Sequence, residues 1–321
     1  MKLTIEEARD LGRNVLRKYR FNEEDTEIVV NHLIDAHLTG YTFAGLPRLL
    51  VVLERIRHDR NAVPGPVRTI RETAISAVLD GSGNLGYVAC WRAVQIAISK
   101  AKQNGIAIVS VANTHYSGRS GYYAEEAARS GLAVIHVSHA SAMVAPIGGS
   151  TPVLGSNPVT IAVPSSQGPL VCDFSTAAST WGELQLAERC GEKLPEGVAI
   201  DDKGVPTTDP SRALRGALLP WGGHKGYALG TLVQALGILS GGEPVPSSHG
   251  SFGFLFIVWQ PDLLLPSEDF ANKLDTLFSA IRASGDGVRL PGERSSSERV
   301  ERMREGIIEL PDYVVEAIRS L

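Results

Sequence analysis

The chain holds 321 residues, 43% hydrophobic and 21% charged, with mean hydropathy +0.01, a balance that allows a substantial core and excludes a wholly disordered or fibrous protein. Thirty-one basic against thirty-five acidic side chains leave a formal charge of −4, so no global positive field recruits nucleic acid or an acidic membrane. Three cysteines without Cys-x-x-Cys spacing, Cys90, Cys172 and Cys190, indicate neither a disulfide framework nor a zinc cage, and read as free thiols.

In chain order, the first residues carry acid where a signal peptide would be apolar, and no run reaches the roughly 18 apolar residues of a membrane span. A cytoplasmic enzyme with small-molecule partners is expected. Thr4 followed by Glu7 resembles a capping box, and Ile5, Ala8, Leu11, Val15 and Leu16 recur at helical spacing, which predicts an opening amphipathic helix. A second helix is predicted over Glu23–Leu38 and, after a break at Gly40–Gly45, a third over Leu46–Ile56. Asn61-Ala62-Val63-Pro64-Gly65-Pro66 punctuates the chain. Beyond it short apolar runs alternate with helical ones: strands at Ile75–Leu79, Ile106–Val111, Leu132–Val137 and Val159–Val163, and helices near Tyr87–Asn104 and Tyr122–Ser130. That alternation predicts an α/β fold. A long apolar helix at Tyr227–Leu239, a buried strand at Phe252–Trp259 and a helix at Phe270–Ile281 follow. Gly285–Arg304 is polar and is expected to be mobile or ordered only by a ligand.

Four segments carry candidate chemistry. Gly81-Ser82-Gly83-Asn84-Leu85-Gly86 spells G-x-G-x-x-G between a predicted strand and helix, yet the next predicted strand runs into Ala112-Asn113-Thr114 without the acid a Rossmann site uses for ribose, which favours a plain turn. Asn113-Thr114-His115-Tyr116-Ser117-Gly118 lies at a strand end, where α/β proteins place ligands, although such a His is often a structural hydrogen-bonder. Gly222-Gly223-His224-Lys225-Gly226 opens a predicted helix, so glycine backbone, helix N-terminus and the Lys225 charge suit a cofactor phosphate, without P-loop spacing. Asp173-Phe174-Ser175-Thr176, with Glu183 beyond it, could bind ribose or relay a proton, or cap a helix. His136 and His139 lack acid partners, and no metal site is expected.

Together with Pro146-Ile147-Gly148-Gly149, Leu154-Gly155-Ser156-Asn157-Pro158, Pro206-Thr207-Thr208-Asp209-Pro210 and Leu290-Pro291-Gly292-Glu293, these segments resemble, over nearly the whole chain, the malate/L-lactate dehydrogenase family with its non-Rossmann cofactor fold. Gly182-Glu183-Leu184-Gln185-Leu186-Ala187, Leu194-Pro195-Glu196-Gly197 and the charged run after Glu293 are most similar to its Δ1-piperideine-2-carboxylate/Δ1-pyrroline-2-carboxylate reductase branch. The resemblance implies a homodimeric NAD(P)H oxidoreductase acting at C2 of a small 2-oxo, 2-hydroxy or cyclic 2-imino carboxylate. It also implies a cofactor-binding sheet domain over 67–266 beside a helical substrate and dimer region from 1–66 and 267–321.

By position, the resemblance assigns His115, Tyr116, Ser117, Gly118, Arg119, Asp173, Phe174, Ser175, His224, Lys225, Glu293, Arg294 and Arg299 to the cofactor. It assigns Arg48 to the substrate carboxylate, Ser156 to the place of a substrate-contacting Thr, and Glu183 to a proton relay in which His115, His139 or water could share. Arg294 and Arg299 suit a 2′-phosphate and tilt the expectation to NADPH, with NADH the alternative. Where the family has Ser-His-Gly this chain has Phe43-Ala44-Gly45, so its usual proton donor is absent, a loss that typically costs about 10²- to 10⁴-fold in ketone reduction. A cyclic iminium arrives protonated at nitrogen. Imine reduction, with Phe43 and Ala44 lining a less polar pocket, is therefore expected. The alternatives are a 2-hydroxy-acid dehydrogenase with a replacement donor and a degenerate nucleotide binder.

Overall fold

The computed structural model describes residues 1–54, 65–246 and 252–321. A short strand, β1 (Lys2–Thr4), leads into α1 (Ile5–Lys18), whose start is set by the capping box: the Thr4 hydroxyl accepts from the Glu7 amide at 3.2 Å and the Glu7 carboxylate accepts from the Thr4 amide at 2.7 Å. Asn22 caps α2 (Glu23–Leu38), which keeps its predicted limits. The predicted third helix is different. Thr42–Ala44 and Leu46–Arg48 are 3-10 turns, and the α conformation begins at Leu49–Val52, because Pro47 lacks a donor and Gly45 lies against the His37 ring, where a Cβ would come within 2.3 Å. Residues 55–56 of that predicted helix, and residues 61–64 of the predicted punctuation, lie outside the described residues.

The central sheet is built from β2 (Arg68–Glu72), β3 (Ser76–Asp80), β4 (Ile106–Thr114), β5 (Ala133–Ser138), β6 (Val159–Val163), β7 (Leu170–Phe174) and, beyond β8 (Ala199–Ile200) and β9 (Ala217–Leu218), β10 (Phe252–Trp259), with β11 (Ile307–Glu309) near the C-terminus. Its order is β2-β3-β4-β10-β5-β6-β7. β3 and β4 run parallel, joined through α3 (Gly86–Asn104), and the other pairings are antiparallel. β10 sits in the middle, with Phe254 opposite Val111 on one side and Ser138 on the other. That placement explains its unbroken apolar run, since a central strand is covered on both faces.

Ala89, Ala93, Ala97 and Ala101 of α3 repeat every fourth residue and pack with α4 (Ser120–Arg129) on Val109, Val111, Phe254 and Phe256. Small side chains on one face let a helix lie close to a sheet. His136 belongs to this interior: its ring stacks on Phe256 at 4.0 Å and its Nδ1 meets the Leu255 carbonyl. Remaining helices are α5 (Trp181–Cys190), α6 (His224–Leu239), α7 (Ser267–Ala283), α8 (Glu293–Glu305) and α9 (Asp312–Ser320).

A second core joins α1, α2 and α9 with Leu85, Tyr87 and Val88 at the start of α3, and the antiparallel β1–β11 pair ties the two ends together. Of the segment from 267 onward, α9 enters this helical core, while α7 packs Leu274 and Phe278 against Val163 and Leu170 at the sheet edge. Most of the polar Gly285–Arg304 segment, expected to be mobile or ordered only by a ligand, is the helix α8. Its charged side chains are used internally. Arg299 pairs with Asp35 of α2 at 2.9 Å, and Arg302 bonds the His37 carbonyl. Among the described residues no helix is long and apolar enough to cross a membrane.

Candidate active site

The glycine pattern at 81–86 admits another piece of backbone. A Cβ on Gly86 would lie 2.2 Å from the His115 carbonyl oxygen, and one on Gly81 2.7 Å from Thr114 Cβ. This turn therefore seats residues 113–118. Asn113 takes a left-handed φ of 53° and donates to Asp80 at 2.7 Å, and the Thr114 hydroxyl donates to the Asn84 carbonyl at 2.7 Å. The Ser82 amide and the Asn113 side chain together hold the Asp80 carboxyl below its ordinary range. Downstream, the Ser117 carbonyl accepts from Tyr123 at 2.5 Å and the Arg119 amide donates to His32 Nε2 at 2.8 Å. His115 and Tyr116 are thus presented, half-buried, from a rigid strand end.

Tyr116 meets the turn that carries Phe43, Ala44 and Arg48. The Arg48 guanidinium carbon lies 4.7 Å from the Tyr116 ring centre and 5.9 Å from that of Phe43. Its Nε is buried and has no acceptor among the described residues. The same holds for the hydroxyl of Tyr87, whose ring stands edge-on to Tyr116 at 5.8 Å. Ala44 is buried, whereas Phe43 is 51% exposed. The Phe43 ring reaches the start of α5, lying 3.7 Å from where a Gly182 Cβ would be. Glu183 follows immediately. Its Oε2 accepts from the Thr180 amide and the Ser179 hydroxyl, each at 2.8 Å, and its amide donates to Thr180 Oγ1 at 3.1 Å. This is a capping box, with Oε1 left over among the described residues.

A second group converges on Ser156. Its carbonyl accepts from the Ser175 hydroxyl at 2.9 Å and from the amide and hydroxyl of Thr176 at 3.0 and 3.1 Å. Next to it Asn157, at a left-handed φ of 36°, is locked to α6 by bonds to the Gly230 carbonyl at 2.9 Å and to Gln234 at 2.7 Å. The Thr176 carbonyl accepts from the Trp221 amide at 2.9 Å. That brings the start of α6 to Ser156 and Ser175. Gly222 and Gly223 there have φ of 58° and 61° with open space where a Cβ would be, no side chain caps the helix, and His224 and Lys225 are exposed. Free first-turn amides plus a lysine fit a pyrophosphate.

Asp173 behaves differently. The residue is exposed at the end of β7, yet its carboxylate accepts from the Gly121 amide at 2.7 Å and the Thr160 hydroxyl at 2.9 Å, and so serves the start of α4; loss of solvent around the carboxylate pushes its pKa up, with the Arg119 charge opposing. Phe174 packs on Trp221 at 6.0 Å. Arg119 and Arg299 are enclosed: Arg119 reaches Asp35 at 2.7 Å and Glu125 at 3.1 Å, and Arg299 reaches Glu125 at 2.6 Å. Burial raises the Glu125 carboxyl, but the charges of Arg119, Arg299 and Arg129 outweigh it and leave it below its ordinary value. Glu293 is held by Arg282 and the Leu290 amide. Arg294 is the more open of the two predicted phosphate ligands, 3.7 Å from Glu298 and over the Tyr41 ring at 5.8 Å. His139 is occupied at both nitrogens, by the Gly253 amide and the Glu243 carbonyl. Sequence reasoning missed the Asn157–Gln234 lock and Tyr87. No group of three or more His, Cys, Asp or Glu is placed to hold a metal among the described residues.

An anion-ready helix start at the sheet, and an arginine without a carboxylate partner among the described residues, fit an NAD(P)-dependent oxidoreductase, and comparison with known proteins establishes that class. The chain belongs to the malate/L-lactate dehydrogenase family, whose model matches residues 3–319. It is 36% identical to a malate/(S)-sulfolactate dehydrogenase of Methanothermus fervidus, covering 100% of this chain and 97% of that one. It is 31% identical to a Δ1-pyrroline-2-carboxylate/Δ1-piperideine-2-carboxylate reductase of Pseudomonas aeruginosa, covering 96% and 95%. The solved sulfolactate dehydrogenase of Methanocaldococcus jannaschii superimposes with a TM-score of 0.91 at 31% identity, over 100% of this chain and 96% of that one.

Proposed function

We propose that the protein reduces a small cyclic 2-imino carboxylate at C2, with the substrate carboxylate held by Arg48. One observation carries the reading: Arg48 sits between aromatic rings with a buried Nε that has no acceptor among the described residues, the state of a guanidinium awaiting a planar anion. A bound nicotinamide cofactor supplies hydride. The start of α6, with Lys225 and His224, would hold its pyrophosphate, and Ser156 and Ser175 flank that position. Arg294 remains the residue best exposed to a 2′-phosphate, which supports NADPH over NADH.

Proton supply supports the imine. Ala44 and Phe43 carry no transferable proton, and the neighbouring acid is Glu183, which orients itself through Thr180 and Ser179. A substrate already protonated on nitrogen needs no donor at position 44 as hydride arrives, and Glu183 then stabilises that cation. A 2-hydroxy-acid dehydrogenase is the second reading, favoured by the higher identity to the malate/sulfolactate relative. Exposed Ile108, Ile161, Leu232 and Leu239 support a homodimer that covers these apolar side chains.

Arg48→Lys tests the anchor. Loss of the bidentate fork removes about 1.5–3 kcal/mol of charge-assisted bonding, so KM should rise about 10- to 100-fold with a smaller change in kcat. An unchanged KM for the carboxylate substrate would overturn the assignment.

A further inference from the structure

We infer that Phe43 is the specificity-determining residue of this site and confines the substrate to a monoanion with an apolar body, against dianions of the malate and sulfolactate kind. The inference rests on the reading of Arg48 as carboxylate anchor, and adds what lies beyond the carboxylate.

The charge inventory is the first ground. Arg48 has no carboxylate partner among the described residues, but Arg119 and Arg299, which flank the same α2 and 115–119 framework, are each committed to Asp35 and Glu125. A substrate with one negative charge is matched by one guanidinium. A second carboxylate or a sulfonate would find Arg119 and Arg299 already paired and would surrender water without gaining either of them, a cost that rises with burial.

The second ground is the wall itself. Phe43 projects from the Thr42–Ala44 turn, and its ring spans from Arg48 to the start of α5 at Gly182. An aromatic face carries partial negative charge, so the ring that attracts Arg48 repels an anion laid against it. It offers no hydrogen-bond donor. With 51% of Phe43 exposed, a flat, apolar substrate body gains by covering the ring. Charge and shape therefore select in the same direction.

The experiment compares kcat/KM within one oxidation class at a time: pyruvate and 2-oxobutyrate against oxaloacetate and sulfopyruvate, with cyclic imines measured separately. In parallel, calorimetry on the NADPH-loaded protein compares binding of 2-furoate, a flat monoanion, with malonate. The monoanion should be preferred by about tenfold or more, the range one pocket contact commonly gives. Phe43→Ser should bring the ratio to within about threefold, and Phe43→Arg, which adds a second cation, should reverse it. Equal use of dianions by the unaltered protein, or a ratio that neither variant moves, overturns the inference. Preference for oxo acids over imines would remove the imine reading and leave this one to be judged by the charge ratio. If no compound is turned over, the furoate-to-malonate ratio of affinities decides.

Discussion

Replacing Arg299 separates two roles that the sequence alone could not. Its guanidinium lies 2.9 Å from Asp35 and 2.6 Å from Glu125, and the three side chains are only 19%, 14% and 11% exposed. Breaking a buried pair by deleting one partner costs about 3–5 kcal/mol. Here Arg119 still touches both carboxylates and Arg299 is partly hydrated, so about 2 kcal/mol is the expected loss for Arg299→Ala. At roughly 2–4 °C per kcal/mol for a chain somewhat smaller than this one, the melting temperature should fall by about 4–8 °C. Calorimetric melting at pH 7 reads the first quantity, and titration with NADPH and NADH reads the second. The ratio of the two affinities should be unchanged in Arg299→Ala and should shift toward NADH in Arg294→Ala. Full stability of Arg299→Ala together with a selective loss of NADPH binding would refute the structural role.

Two further predictions concern the scaffold. Gly86→Ala places a methyl 2.2 Å from the His115 carbonyl, so forced overpacking should cost about 1–3 kcal/mol and lower kcat/KM by displacing His115 and Tyr116; urea unfolding and steady-state rates check both, and a neutral variant contradicts the close approach. Burial holds both His37, which also faces the Arg302 charge, and His136, whose bond to Leu255 opposes the shift, down to about 4. The unfolded chain protonates each near 6.5 and the native one only near 4, so between these values the unfolded state holds more protons and stability falls as pH falls. The loss is about 2 kcal/mol per histidine at pH 5, and His136→Phe should remove one share of it from the pH dependence of urea melts; an unaltered slope would contradict this.

Elements whose signal is local were legible. The Thr4/Glu7 pair and the Asn22 cap delimit α1 and α2, and the apolar run of β10 announced a buried strand. Its insertion between β4 and β5 was not legible, because pairing between residues more than 100 apart leaves no local trace. α8 is not legible for a different reason: without an apolar stripe it looks solvated, and Asp35, Glu125 and the His37 carbonyl, far upstream, turn Arg299 and Arg302 inward. α5 escaped notice although Thr180 and Glu183 spell a capping box. In the candidate site, Arg48 and the departure at Phe43-Ala44 were visible as residues, but the aromatic neighbours of Arg48 exist only once 43–48 and 113–118 meet. The same folding encloses Arg119 and Arg299, which composition alone cannot distinguish from free cations.

The central claim is tested most directly by following oxidation of NADPH, then NADH, with Δ1-piperideine-2-carboxylate, Δ1-pyrroline-2-carboxylate, pyruvate and oxaloacetate under matched conditions. The account predicts kcat/KM for the imines at least about 10²-fold above that for either oxo acid, the lower bound for a missing general acid. Equal or faster reduction of pyruvate or oxaloacetate would contradict it, and would mean that another residue donates the proton that Ala44 cannot.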